Sequence, residues 1–217
     1  MTIRKVGRVT VFCAFEGKSP WEGKKPMKNI YLIGDSIRLG YDSHARELLS
    51  DCAQLYWNQD NARFVQYTTR YIQMWAYEDC DPEKIDIVHF NNGAWDIAHM
   101  KDGSRFNTVE EYVAGLKRNI GLLRIVFPNA KLIFATTACV LEERINPGFL
   151  RRNCDIEEYN EAAKKLMAEE NIPVDDLYPV SLTVPAEYRT EDGVHFTQEG
   201  FRMLGVAVAD FLRPYCK

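Results

Sequence analysis

Residues 31–41, YLIGDSIRLGY, hold the reading on which the fold turns. An apolar run from Ile30 to Ile33 breaks at Gly34, a polar Asp35-Ser36 pair follows, and a helical pattern then begins. That is the outline of a buried strand feeding a helix. At such a turn a serine has two uses: it is a nucleophile held up at the end of the strand, or the hydroxyl that caps the helix. Eleven residues leave both open.

Outward from this turn, apolar runs and amphipathic segments alternate along the chain. The patterns predict strands at 29–33, 53–57, 85–91, 130–137 and 174–177. Between and after them, helices are predicted at 41–52, about 64–77, 109–127, 155–170 and 198–212. Thr108 and Thr197 are the expected caps of two of these, and Glu110 and Glu111 lie where a helix dipole favours negative charge. Strands and helices alternating at this spacing, joined by right-handed crossovers, imply a three-layer α/β/α sandwich around a central parallel five-stranded sheet. Ligands bind such sheets outside the carboxyl ends of the strands. Gly34-Asp35-Ser36, Asn91-Asn92-Gly93, the loop after Leu177 and the irregular segment 138–154 all fall at that edge.

The composition narrows the function classes. At 217 residues, 46% hydrophobic and 27% charged, the chain has material for one ordinary domain core. A net charge of −4 without a basic stripe argues against a nucleic-acid partner. No apolar run approaches the roughly 18 residues of a membrane-spanning helix. The start of the chain matches a signal peptide poorly, and the six cysteines are scattered without metal-ligand spacing. Reduced thiols in a cytoplasmic protein are the resulting expectation. Residues 1–26 are basic and read as an appendage, either an upstream extension or an added edge strand over Arg8–Phe15, ahead of a domain spanning 27–217. Neither G-x-G-x-x-G nor a P-loop is present, which disfavours a nucleotide site.

A serine nucleophile needs a base, and the base needs a group that fixes its tautomer. Of four histidines, His44 lies on the first helix as an ordinary surface residue, His89 is inside the third strand, and His99 is at most a pocket wall. His195 differs. It precedes the last helix in EDGVHFT, 191–197, three residues after Asp192, and the Asp192-Gly193 turn can bring both side chains to one side.

With GDSI at 34–37 and DGVHFT at 192–197, the chain resembles the SGNH, or GDSL-like, hydrolases. DIVHFNNGAWD at 86–96 is similar to that family's third block. The resemblance implies a flavodoxin-like sandwich, ester hydrolysis without metal or organic cofactor, Ser36 as nucleophile, His195 as base and Asp192 as its orienting acid. It also exposes two departures. Trp95 stands where the pattern has an oxyanion-binding asparagine, and the region 58–69 lacks the second block's glycine. Asn92 or Asn91, a backbone N–H near Asn61–Gln66 and the Asn61 side chain are the candidate substitutes, with Gly93 among the oxyanion- or substrate-binding residues. Arg38 is read either as a substrate-binding residue at the pocket rim or as a structural partner of Asp35 or Asp96. Tyr41 and Trp95 are sugar-stacking or core aromatics, and Arg151-Arg152 is an anion contact or a solvated pair. Short acyl esters, acetyl ones on carbohydrates in particular, are the expected substrates. A carbohydrate-binding protein with an impaired oxyanion hole and an O-acyltransferase remain as alternatives.

Overall fold

In the computed structural model, which describes residues 27–217, the alternating apolar runs form a five-stranded, all-parallel sheet of order β2-β1-β3-β4-β5. Its strands are β1 (Lys28–Ile33), β2 (Ala53–Trp57), β3 (Ile87–Phe90), β4 (Lys131–Ala135) and β5 (Val174–Asp175). The expected extension, or edge strand at Arg8–Phe15, lies outside the described residues. Helices α1 (Ser36–Leu49), α2 (Val65–Asp79), α3 (Val109–Val126), α4 (Asn153–Glu169), α5 (Leu177–Leu182) and α6 (Gln198–Leu212) complete the sandwich. Among the described residues, no helix is long and apolar enough to cross a membrane.

Both faces of the sheet are covered, which is why its strands read as continuous apolar runs. In β1 the pleat sends Ile30 and Leu32 into the layer of α1 and α6, and Tyr31 and Ile33 into the layer of α2, α3 and α4. Ile87 and Ile133 join the first layer, while Val88, Phe90, Leu132 and Phe134 join the second. His89, inside β3, is fully buried and bonded through Nε2 to Asp175 Oδ2 at 3.0 Å. Helices α1 and α6 touch closely: a Cβ on Gly40 would lie 2.1 Å from the Phe201 ring. This contact fixes the start of α1 relative to the loop that precedes α6.

Besides shifts of a few residues at other element ends, two boundaries and one cap differ from expectation for identifiable reasons. Helix α1 begins at Ser36, not at 41, because Asp35 caps it, its carboxylate accepting the Ile37 N–H at 2.9 Å. The fifth strand ends at Asp175, since the Thr136 hydroxyl accepts the Tyr178 N–H at 3.1 Å and starts α5 there. Thr197 stands at the cap position of α6, but its hydroxyl donates to Glu199 Oε2 and caps no N–H. Thr108, by contrast, forms a reciprocal capping box with Glu111 ahead of α3. Thr108→Ala is expected to cost about 1 kcal/mol, read as a lower urea midpoint at unchanged slope.

Candidate active site

Because Asp35 does the capping, the Ser36 hydroxyl at the first helical position is free for another partner. That partner is His195, whose Nε2 lies 2.7 Å from Ser36 Oγ across 159 positions of sequence. On the other side of the ring, Nδ1 lies 2.6 Å from Asp192 Oδ2. The turn between them needs Gly193, at φ +73°, where a Cβ would lie 2.6 Å from the Leu141 carbonyl. Asp192 Oδ1 meanwhile accepts from the Val194 and His195 N–H groups and from the Thr190 hydroxyl. Partial burial would raise the Asp192 carboxyl, but these bonds, with that from the His195 ring, outweigh it and hold the group well below the usual carboxylate range. The acid therefore stays ionised beside the imidazole.

Ser36, His195 and Asp192 open into a pocket of about 240 Å³. Its far wall is apolar, with Ile145 and Val194 beside Trp95 and Phe149, whose rings meet edge-to-face at 6.5 Å. A wider depression of about 650 Å³ lies between α1 and the start of β2, at the amino ends of the strands and away from Ser36.

The remaining sequence candidates divide sharply. Trp95 lines the pocket. Arg38 does not bind at a rim: it is 2% exposed, and it pairs with Asp42 at 3.2 Å instead of Asp35 or Asp96. The i,i+4 spacing on α1 puts that carboxylate beside it, and its Nη2 donates to the Asp60 carbonyl at 2.9 Å, bracing the loop after β2. The amide of Asn92 is turned into the protein, where Nδ2 donates to Arg63 O and Thr68 Oγ1. Asn91 Nδ2 is likewise committed, to the Ala135 carbonyl at 2.8 Å. Neither asparagine lines the pocket beside Ser36, and both hydrogens of Asn92 Nδ2 are taken by buried acceptors. Asn61 is half-buried, and its Oδ1 accepts the Arg63 N–H at 2.9 Å, outside the pocket lining. In this region, where the pattern expects glycine, Arg63 adopts the positive φ of 49° that glycine favours.

Gly93 earns its place through backbone geometry. Its φ is +150°, and a Cβ there would lie 2.1 Å from Thr137 Oγ1. Asp96 is fully buried and accepts from the Val65 N–H and Asn107 Nδ2, serving as a remote cap for α2. Burial pushes its carboxyl up to about 7. Tyr41 is a core residue. His99 pairs with Asp155 at 2.7 Å and takes no part in the pocket.

Sequence reasoning missed the contribution of 138–154 in detail. Ile145, Asn146, Phe149 and Arg151 all line the pocket, and Arg151 is buried while Arg152 is exposed. The position of the insertion, after β4 at the carboxyl edge of the sheet, was the available signal.

A family model described as GDSL-like Lipase/Acylhydrolase matches residues 32–203 of the chain. No curated protein matches it. Among solved structures, it is similar to a lipase/acylhydrolase from Enterococcus faecalis, with a TM-score of 0.68 and 22% identity over 87% of this chain and 97% of that one. It is also similar to the acetyl xylan esterase AlAXEase, with a TM-score of 0.67 and 20% identity over 85% and 99% of the two chains. A carbohydrate esterase family 3 protein from Talaromyces cellulolyticus has a TM-score of 0.62 and 17% identity over 88% and 98%. These structures share the three-layer fold.

Proposed function

The chain belongs to the GDSL-like lipase/acylhydrolase family and is a carboxylic ester hydrolase, and we propose that it cleaves short acyl esters through an acyl-enzyme on Ser36. The observation that carries this reading is the unbroken line from Asp192 through His195 to Ser36 Oγ, at 2.6 and 2.7 Å, ending in a pocket.

Each atom in that line has one task. His195 Nε2 accepts the Ser36 proton as Oγ attacks the ester carbonyl, and Asp192 holds Nδ1–H so that Nε2 carries the free lone pair. The Ser36 N–H, one of the first-turn amides a helix leaves without an intrahelical partner, faces the negative charge that develops. His195 then returns the proton to the departing alcohol, and a water repeats the sequence to release the acid.

The pocket volume supports a short acyl group. At about 240 Å³ it lies below the range typical of drug-sized ligands and suits acetyl better than a long chain. For the alcohol half, an acetylated carbohydrate is favoured by Trp95 and Phe149, whose rings offer surfaces for a sugar. Two similar structures carry the names acetyl xylan esterase and carbohydrate esterase, in keeping with this choice. Transfer of the acyl group to a sugar hydroxyl would use the same acyl-enzyme, and product analysis separates the two outcomes.

The test combines labelling with a substrate series. A fluorophosphonate is expected to add to the protein once, with the adduct mapped to Ser36. p-Nitrophenyl acetate is expected to turn over about 100-fold faster than the octanoate. Acetylated xylo-oligosaccharides should yield free acetate. An adduct elsewhere, or a preference for the octanoate, would overturn the proposal.

A further inference from the structure

The departure at Trp95 leaves the site without the side-chain donor that its family resemblance implies, and neither Asn91 nor Asn92 lines the pocket. Arg151 is the side chain that answers this deficit. It is only 4% exposed, yet among the described residues it forms no ion pair. Its Nε donates to the Ala94 carbonyl and its Nη1 to the Phe149 carbonyl at 3.2 Å. The remaining nitrogen, Nη2, has no partner among the described residues, and Arg151 lines the same pocket as Ser36 and His195. The Trp95 and Phe149 rings lie 6.0 and 5.8 Å from its central carbon and restrict where the fork can move.

The Asp35 and Asp192 carboxylates favour the buried charge from a distance, but neither bonds to it, and a buried guanidinium with a free donor beside a cleft points to an anion that visits. Two anions are conceivable here: a carboxylate on the substrate, or the oxyanion of the tetrahedral intermediate. The substrate class proposed above, an acetylated carbohydrate, carries no carboxylate, which leaves the oxyanion as the anion formed in this pocket. The anchoring favours the oxyanion as well. Ala94 lies between Gly93 and Trp95, within the segment that normally delivers the missing amide.

Resting on the Ser36 reading above, we propose that Arg151 is the oxyanion donor that stands in for the asparagine absent at position 95. A charged N–H donor makes a shorter and stronger hydrogen bond than a neutral amide, and its effect grows in a pocket that excludes water. The charge develops on the carbonyl oxygen only in the transition state, so the contact acts on kcat more than on KM.

Arg151→Met and Arg151→Lys are compared with Arg152→Met, a change at the exposed neighbour, using the neutral ester p-nitrophenyl acetate. The methionine variant is expected to lose about 100-fold in kcat with KM within about twofold, the lysine variant to fall between, and Arg152→Met to match the unsubstituted protein. Phenylboronic acid, which forms a tetrahedral anion on serine, should weaken in proportion to kcat/KM. A merely structural role would not produce that proportionality. If Arg151→Met fails to fold, the lysine variant and its boronate affinity decide. Unchanged kcat in the folded Arg151 variants, or losses confined to the KM of esters bearing a carboxylate, would overturn the oxyanion role. Fluorophosphonate labelling of Ser36 in the unsubstituted protein reports separately on the underlying reading, so the two can fail independently.

Discussion

Ser36→Ala is expected to lower kcat for p-nitrophenyl acetate by about a million-fold while leaving the thermal midpoint almost unmoved. The size follows from removing the only atom that forms the covalent intermediate. Water attacking the bound ester would then have to be activated by His195 without the positioning that the helix gives Oγ, and the oxyanion donors and substrate binding alone sustain a residue of about 1,000-fold or more over the uncatalysed rate. The stability expectation is equally specific. A serine at the start of a helix is often its cap, and removing a cap costs about 1 kcal/mol. Here Asp35 takes that duty, so the alanine keeps α1 intact. The imidazole that loses its partner is 36% exposed on its side chain, and water can satisfy it. Activity within tenfold of the unsubstituted protein, measured on a homogeneous sample, would remove Ser36 from the mechanism. A protein that still bound acetylated sugars but never turned them over would favour the carbohydrate-binding alternative.

The strand–helix alternation was legible because both faces of the sheet are buried: apolar runs such as Ile30 to Ile33 and Leu132 to Ala135 have no polar face to confuse them. The turn at Gly34-Asp35-Ser36 and the loop at Asp192–His195 could be paired in advance, since each carries its own chemistry and both fall at the carboxyl edge of the sheet. What sequence could not reveal is the direction of a side chain whose partners come from elsewhere. Asn91 and Asn92 sit at the right edge, but their amides are drawn inward by the Ala135 carbonyl and by Thr68 Oγ1 and Arg63 O, none of which is a sequence neighbour. Arg151 and Arg152 are adjacent and chemically identical, and only the fold of 138–154 decides that one is buried against Ala94 while the other meets solvent. The same limit explains Arg38, whose burial depends on the loop after β2 folding over it.

Asp192→Asn should cost about 10,000-fold in kcat, with the loop geometry preserved. The asparagine can keep its Oδ1 where the carboxylate Oδ1 now accepts from Val194 N–H, His195 N–H and the Thr190 hydroxyl, because those three donors select an oxygen. That choice forces Nδ2 into the position of Oδ2, 2.6 Å from His195 Nδ1. An N–H donor there repels Nδ1–H and stabilises the tautomer with its proton on Nε2. Nε2–H then points at Ser36 Oγ across 2.7 Å as a donor, and the base has no lone pair to receive the serine proton. The loss is thus one of proton transfer, not of binding: KM should change little, and fluorophosphonate labelling should slow along with turnover. Asp192→Ala is a poorer test, since it also removes the acceptor that closes the 190–195 turn. NMR of the His195 ring nitrogens would report the tautomer directly. Protonation that stays on Nδ1 in the asparagine variant, or turnover reduced by less than about tenfold, would show that the orientation of His195 is set by something other than this carboxylate.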